Sequence, residues 1–179
     1  MLVVNFFAGP SAGKSTCASL LFGHLKMAGY NAELVTEFAK DLTWDESTKA
    51  LGYQPYVFAQ QAWRLERLRG KIDIVVTDSP LLMSLIYTPP ELPETYRDYV
   101  KWESLRDPTL NFLIKRVKPF NPIGRNQTEE ESKEIDVRIK TLLDDNAVYH
   151  ELLTEDGTAP IIAFSKVVTK LSELKNVIV

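Results

Sequence analysis

Residues 8–16 read Ala-Gly-Pro-Ser-Ala-Gly-Lys-Ser-Thr, and their reading decides the fold. They fit the phosphate-binding P-loop pattern in a relaxed form: Gly13, Lys14 and Ser15 supply its fixed end, while Ala8 stands where the strictest form has glycine. The chemistry needs these residue types in this order. Successive backbone N–H groups make an anion nest, the lysine reaches the outer phosphates, and the hydroxyl is placed for a divalent cation. A helix starting at the loop adds its positive dipole end.

The flanks support the match. Leu2-Val3-Val4-Asn5-Phe6-Phe7 is a nearly continuous apolar run, the signature of a parallel strand buried on both faces. Behind the loop, Cys17, Leu20, Leu21, Leu25 and Ala28 recur at helical spacing, and Gly29 follows where a helix end wants a left-handed residue. Gly9, Pro10, Ser11, Ala12, Gly13, Lys14, Ser15 and Thr16 are therefore the candidate nucleotide-binding residues, with Ser15 also a candidate Mg²⁺ ligand.

Further along, strands alternate with helices. Strands are expected at 31–36, 72–77, 110–115 and 160–164. Helices are expected at 37–51 (broken near Trp44), from Pro55 to Arg69, up to Tyr87, over 94–106, from Thr128 to about Leu153, and over 167–175. Thr128 and Glu131 have capping-box spacing. The alternation predicts an α/β fold, a five-stranded parallel sheet with helices on both faces. A chain of 179 residues suits one domain.

Ligands in such sheets bind beyond the carboxyl ends of the strands. Asp78 ends the third strand, where a carboxylate holds Mg²⁺ or its water shell. Glu37 follows the second strand, a candidate base, and Asp41 lies one helical turn on, placed to bind sugar hydroxyls. Gln60, Gln61 and Arg64 lie on the helix opened by Pro55: amides to read a base edge, a guanidinium for a phosphate. After the fourth strand, residues 116–127 carry Arg116, Lys118, Arg125, two prolines and Gly124. They are expected to form a mobile basic lid whose cations, Arg116 and Arg125, close over the transferring group.

Composition excludes little. The net charge of -3 gives no global attraction to nucleic acid. The single cysteine, Cys17, permits no internal disulfide and suits a reducing compartment. The apolar amino-terminal run is too short for a signal or a membrane span. A cytoplasmic protein without membrane partners is expected, as monomer or homodimer. His24 and His150 have no Cys or His partner at metal-ligand spacing.

Taken together, the P-loop, Glu37, the Asp78-Ser79-Pro80 turn and the basic segment 116–125 resemble a small P-loop kinase of the nucleoside/nucleotide kinase superfamily. The likeness is to compact bacteriophage proteins related to the nicotinamide riboside kinase domain, some of which phosphorylate 5-hydroxymethyluracil in DNA. The resemblance covers essentially the whole chain. It implies a three-layer kinase fold, ATP and Mg²⁺ as cofactors, and transfer of the γ-phosphoryl group to a nucleoside- or nucleotide-like acceptor in the cytoplasm, the host's if the protein is of phage origin. It also implies Lys14, Glu37, Asp78, Arg116 and Arg125 as catalytic residues, with Glu37 as base and Gln60 or Gln61 reading the nucleobase. Asp-Ser-Pro stands where such enzymes often have an acid followed by arginine. Two rival readings are a kinase acting on DNA, which needs a basic groove around Arg64, Arg67, Arg69 and Lys71, and a nucleotide-driven switch or ATPase working through a protein partner.

Overall fold

The computed structural model describes residues 1–117, 119–123 and 127–176. Strand β1 (Leu2–Phe7) is buried along its whole length, as its nearly continuous apolar run requires. It stands at the centre of a five-stranded, wholly parallel sheet of order β2-β3-β1-β4-β5, with β2 at Ala32–Val35, β3 at Ile74–Thr77, β4 at Thr109–Lys115 and β5 at Glu151–Thr154.

Alternate residues of β1 serve opposite faces. Leu2, Val4 and Phe6 pack with Cys17, Ala18, Leu21 and Leu25 of α1 (Lys14–Met27) and with Ala159, Ala163 and Val167 of α8 (Ala159–Asn176). Val3 and Phe7 face the other layer. Val3 packs with Phe58 and Leu65 of α4 (Gln54–Glu66) and Val100 of α6 (Glu94–Ser104). Phe7 packs with Ile86 of α5 (Ser84–Tyr87) and with Ile135, Ile139 and Leu143 of α7 (Glu129–Asp145). Asn5 is the one polar residue of β1. Its amide donates to Asn111 Oδ1 at 2.9 Å across the β1–β4 register, and Asn111 donates in turn to Thr109 Oγ1 and the Tyr149 carbonyl, both at 3.1 Å. The pair is buried and bonded, as buried amides must be.

The expected break near Trp44 is real: α2 (Phe38–Trp44) stops and α3 (Thr48–Gly52) restarts. The capping box at α7 is present in both directions, Glu131 N–H to Thr128 Oγ1 at 3.2 Å and Thr128 N–H to Glu131 Oε2 at 2.7 Å.

Two elements depart from the expectation. The long helix ends at Asp145 rather than near Leu153, and the fifth strand is Glu151–Thr154, not 160–164. The stop is a Schellman turn: Ala147 takes φ 51, its N–H reaches the Asp144 carbonyl at 3.0 Å, and the Val148 N–H reaches Leu143 at 2.9 Å. Alanine in place of glycine conceals that signal. Pro160 then sits in the first turn of α8, where a missing N–H is harmless. The apolar run behind it has helical spacing, with Ala159, Ala163 and Val167 buried and Ile161 exposed.

Candidate active site

The carboxyl ends of β1, β2 and β3 open into a cavity of about 850 Å³. One wall is the P-loop, through Pro10, Ser11, Gly13, Lys14, Ser15 and Thr16. Gly9 and Ala12 lie behind it, buried in support. The second wall is Glu37 with Lys40, Thr43, Thr48, Gln54, Val57 and Gln61, from α2, α3 and α4. The third is Asp78, Ser79, Pro80, Met83, Ser84 and Tyr87; Pro119, Asn121, Ile123, Gln127 and Glu155 complete the rim.

Gly13 has two reasons to be glycine. Its φ is +96, and a Cβ there would stand 2.3 Å from Glu155 Cγ. Lys14 Nζ donates to the carbonyls of Ala8 at 2.8 Å and Gly9 at 3.0 Å, curling back along the loop. Ser11, at φ 62, accepts from the Asn121 N–H at 2.8 Å, so the chain at Asn121 is docked on the P-loop.

Asp78 is 5% exposed, and its Oδ1 has no hydrogen-bond partner among the described residues. A buried carboxylate oxygen left so is costly unless a cation or donor arrives. It shares the cavity with the Ser15 hydroxyl. Among the described residues no group of three His, Cys, Asp or Glu side chains could hold a metal. One carboxylate and one hydroxyl, completed by phosphates and water, is the donor set Mg²⁺ accepts, so the residues fit that ion.

Glu37 caps α2 in an extended conformation and lines the cavity. Burial, and then the Glu37 charge, push the Tyr87 phenol up to about 12. Tyr87 therefore offers a neutral O–H donor at physiological pH.

Other expected site residues are engaged elsewhere. Gln61, 4% exposed, accepts from the Phe38 N–H at 2.9 Å and donates to the Thr36 carbonyl at 3.2 Å. It fixes the turn that presents Glu37 rather than holding its amide free for a base. Arg64 bonds the Thr36 carbonyl at 3.1 Å, pairs with Asp41 and covers the Phe38 ring. Arg64, Asp41 and Gln60 do not line the cavity. Nor does Arg116, whose guanidinium pairs with Asp136 of α7 at 3.0 Å. Lys118 and Arg125 lie outside the described residues.

Asp136, Ser132, Glu155, Lys40 and Tyr87 escaped the sequence reading. The signal for two of them was present: from the Thr128 cap, Ser132 and Asp136 share the helix face of Ile135 and Ile139. Polar residues at helical spacing within an apolar face need a reason. Glu155 escaped because the strand before it was read as helix.

Residues 3–158 match the sequence model of an AAA domain family. The chain belongs to that AAA domain family. No curated protein matches the sequence. The fold of this AAA domain is similar to that of the thymidylate kinase from Ehrlichia chaffeensis, with a TM-score of 0.63 at 13% identity, over 96% of this chain and 98% of that one. At that identity the likeness is one of fold alone. Among the described residues no helix is long and apolar enough to cross a membrane.

Proposed function

We propose that this AAA domain protein is an ATP-dependent kinase that transfers the γ-phosphoryl group to a nucleoside- or nucleotide-like acceptor. The observation that carries the reading is the size and lining of the cavity. At about 850 Å³ it lies near the upper end of small-molecule sites, roughly 300–1,000 Å³. It reaches beyond the P-loop to side chains of α2, α3 and α4. A triphosphate on the loop would leave the space beside α2, α3 and α4 for a second substrate, with Glu37 and Asp78 lining the same cavity.

In this reading the loop amides and Lys14 hold the triphosphate, and Ser15 and Asp78 hold Mg²⁺. Bound Mg²⁺ would neutralise charge on the β- and γ-phosphates. Glu37, fixed at the helix cap by Gln61, accepts the proton of an attacking hydroxyl. The neutral Tyr87 phenol donates a hydrogen bond beside it. The lid excludes water through Pro119, Asn121 and Ile123, and Arg125 is left as the lid cation for the transferring group. Arg116, tied to α7, supports the loop from behind.

The rival readings draw less support. The basic groove that a DNA acceptor needs is partly neutralised: Arg64 pairs with Asp41, and Arg69 with Glu66, Glu103 and Asp107. A partner-driven switch needs no room for a second substrate. The test is a screen with γ-labelled ATP over nucleosides, nucleoside monophosphates and hydroxymethylated DNA. Label on a free nucleoside or nucleotide is expected. Label on DNA alone, or only on inorganic phosphate, contradicts the reading.

A further inference from the structure

A single peptide group ties the nucleotide site to α7. The Ala8–Gly9 peptide donates its N–H to Asp136 Oδ1 at 2.5 Å, and its carbonyl accepts from Lys14 Nζ at 2.8 Å. On the far side, Asp136 Oδ2 accepts from Arg116 Nε at 3.2 Å and Nη2 at 3.0 Å. Ser132 completes the clamp. Its hydroxyl donates to the Pro10 carbonyl at 2.7 Å and accepts from Arg116 Nη2 at 2.5 Å. The packing leaves no slack: a Cβ on Gly9 would stand 2.5 Å from the Ser132 carbonyl oxygen and 2.9 Å from Asp136 Oδ1.

The charges therefore alternate along one line: guanidinium, carboxylate, peptide dipole, ammonium. The positive end of the peptide meets Asp136 and the negative end meets Lys14, so each bond polarises the peptide in favour of the other. Asp136 does not line the cavity, yet the peptide it orients is the one on which the Lys14 ammonium rests. Removing the carboxylate frees that peptide to rotate. It also leaves the half-buried Arg116 guanidinium without the Asp136 carboxylate beside it.

We propose that Asp136 is a positioning residue for nucleotide binding that acts on Lys14 through the Ala8–Gly9 peptide, with Arg116 and Ser132 holding it in place. This rests on the nucleotide-binding half of the function proposed above and not on the acceptor. A helix contact that only stabilised the fold would have no special relation to Lys14.

The experiment is a double-mutant cycle read by equilibrium binding of a fluorescent, non-hydrolysable ATP analogue. Asp136→Ala is expected to weaken binding about 10-fold, the coupling typical of one hydrogen-bonded network, and to add less than about 2-fold on a Lys14→Ala background. Asp136→Asn, which keeps an acceptor for the Gly9 N–H, recovers most of the affinity. The Gly9 amide proton, shifted downfield by the carboxylate, moves upfield in Asp136→Ala and by a smaller amount in Lys14→Ala. Should Asp136→Ala not fold, the same shift is read part-way in Asp136→Asn. Additive losses in the cycle, wild-type affinity in a folded Asp136→Ala protein, or an unmoved Gly9 signal overturn the proposal. If the wild type binds the analogue but phosphorylates no acceptor, the kinase reading fails while the cycle still decides the role of Asp136.

Discussion

At the scale of single residues, Lys14 and Asp78 make opposite predictions about stability. Lys14 lies on the surface of its own loop, bonded to two carbonyls. Lys14→Ala removes a charge that meets the phosphates as negative charge redistributes, so turnover falls on the order of 10²-fold or more. Circular dichroism and thermal melting should show a folded protein; wild-type turnover in it contradicts the site. Asp78 is a buried carboxylate with one oxygen lacking a partner among the described residues. Asp78→Asn removes a buried charge whose Oδ1 meets no hydrogen bond among the described residues, so the ligand-free protein gains about 1 kcal/mol in denaturant unfolding. Its Mg²⁺-dependent activity should fall far more than its Mg²⁺-free nucleotide binding. An equal loss in both assays would mark Asp78 as a turn residue. The contrast expresses a general rule: a group that function needs is one the ligand-free fold tolerates at a cost.

At the scale of elements, the helices reveal what a sequence can and cannot say. The strand Leu2–Phe7 and the capping box at Thr128 were legible because each is local: an apolar run, and two side chains at fixed spacing. The end of α7 was not, because Ala147 takes a left-handed conformation that alanine rarely adopts. Tertiary contacts hold it there: Val148 packs with Leu142 and Leu143 beneath the sheet. Ala147→Gly relieves that strain and should stabilise the protein by about 1 kcal/mol, offset in part by the entropy of a freer unfolded chain. Urea midpoints test it, and a lower midpoint contradicts the Schellman reading. The site was legible to a similar degree. Glu37 and Asp78 followed from strand ends, a topological rule. That Arg64 and Asp41 are bonded away from the cavity, and that the Gln61 amide is spent on the β2–α2 turn, depends on side-chain partners, which spacing along the chain does not disclose.

At the scale of the whole molecule, charge is divided between the two ends of the sheet. Behind the strands, Glu103, 4% exposed, joins Arg69 at 3.0 Å and Arg106 at 2.9 Å, and Arg69 also bonds Asp107 at 2.8 Å. This network fastens α4 to α6 at the end away from the cavity. Glu103→Ala leaves Arg69 short of a buried partner and should cost about 2 kcal/mol, discounted for the partial exposure of the guanidinium. Nucleotide affinity should be unchanged; a loss of affinity at full stability would mean that the two ends communicate. The opposite end carries the cavity, and the account stands on its holding two substrates at once. The most direct measurement is calorimetric binding of bisubstrate analogues, adenosine joined through a polyphosphate chain to each of a panel of nucleosides. If the space beside α2, α3 and α4 is the acceptor site, at least one analogue binds on the order of 10²-fold more tightly than a non-hydrolysable ATP analogue, because the second half binds as part of the same molecule. If none binds more tightly than that analogue, the space is not an acceptor site and the kinase reading is wrong.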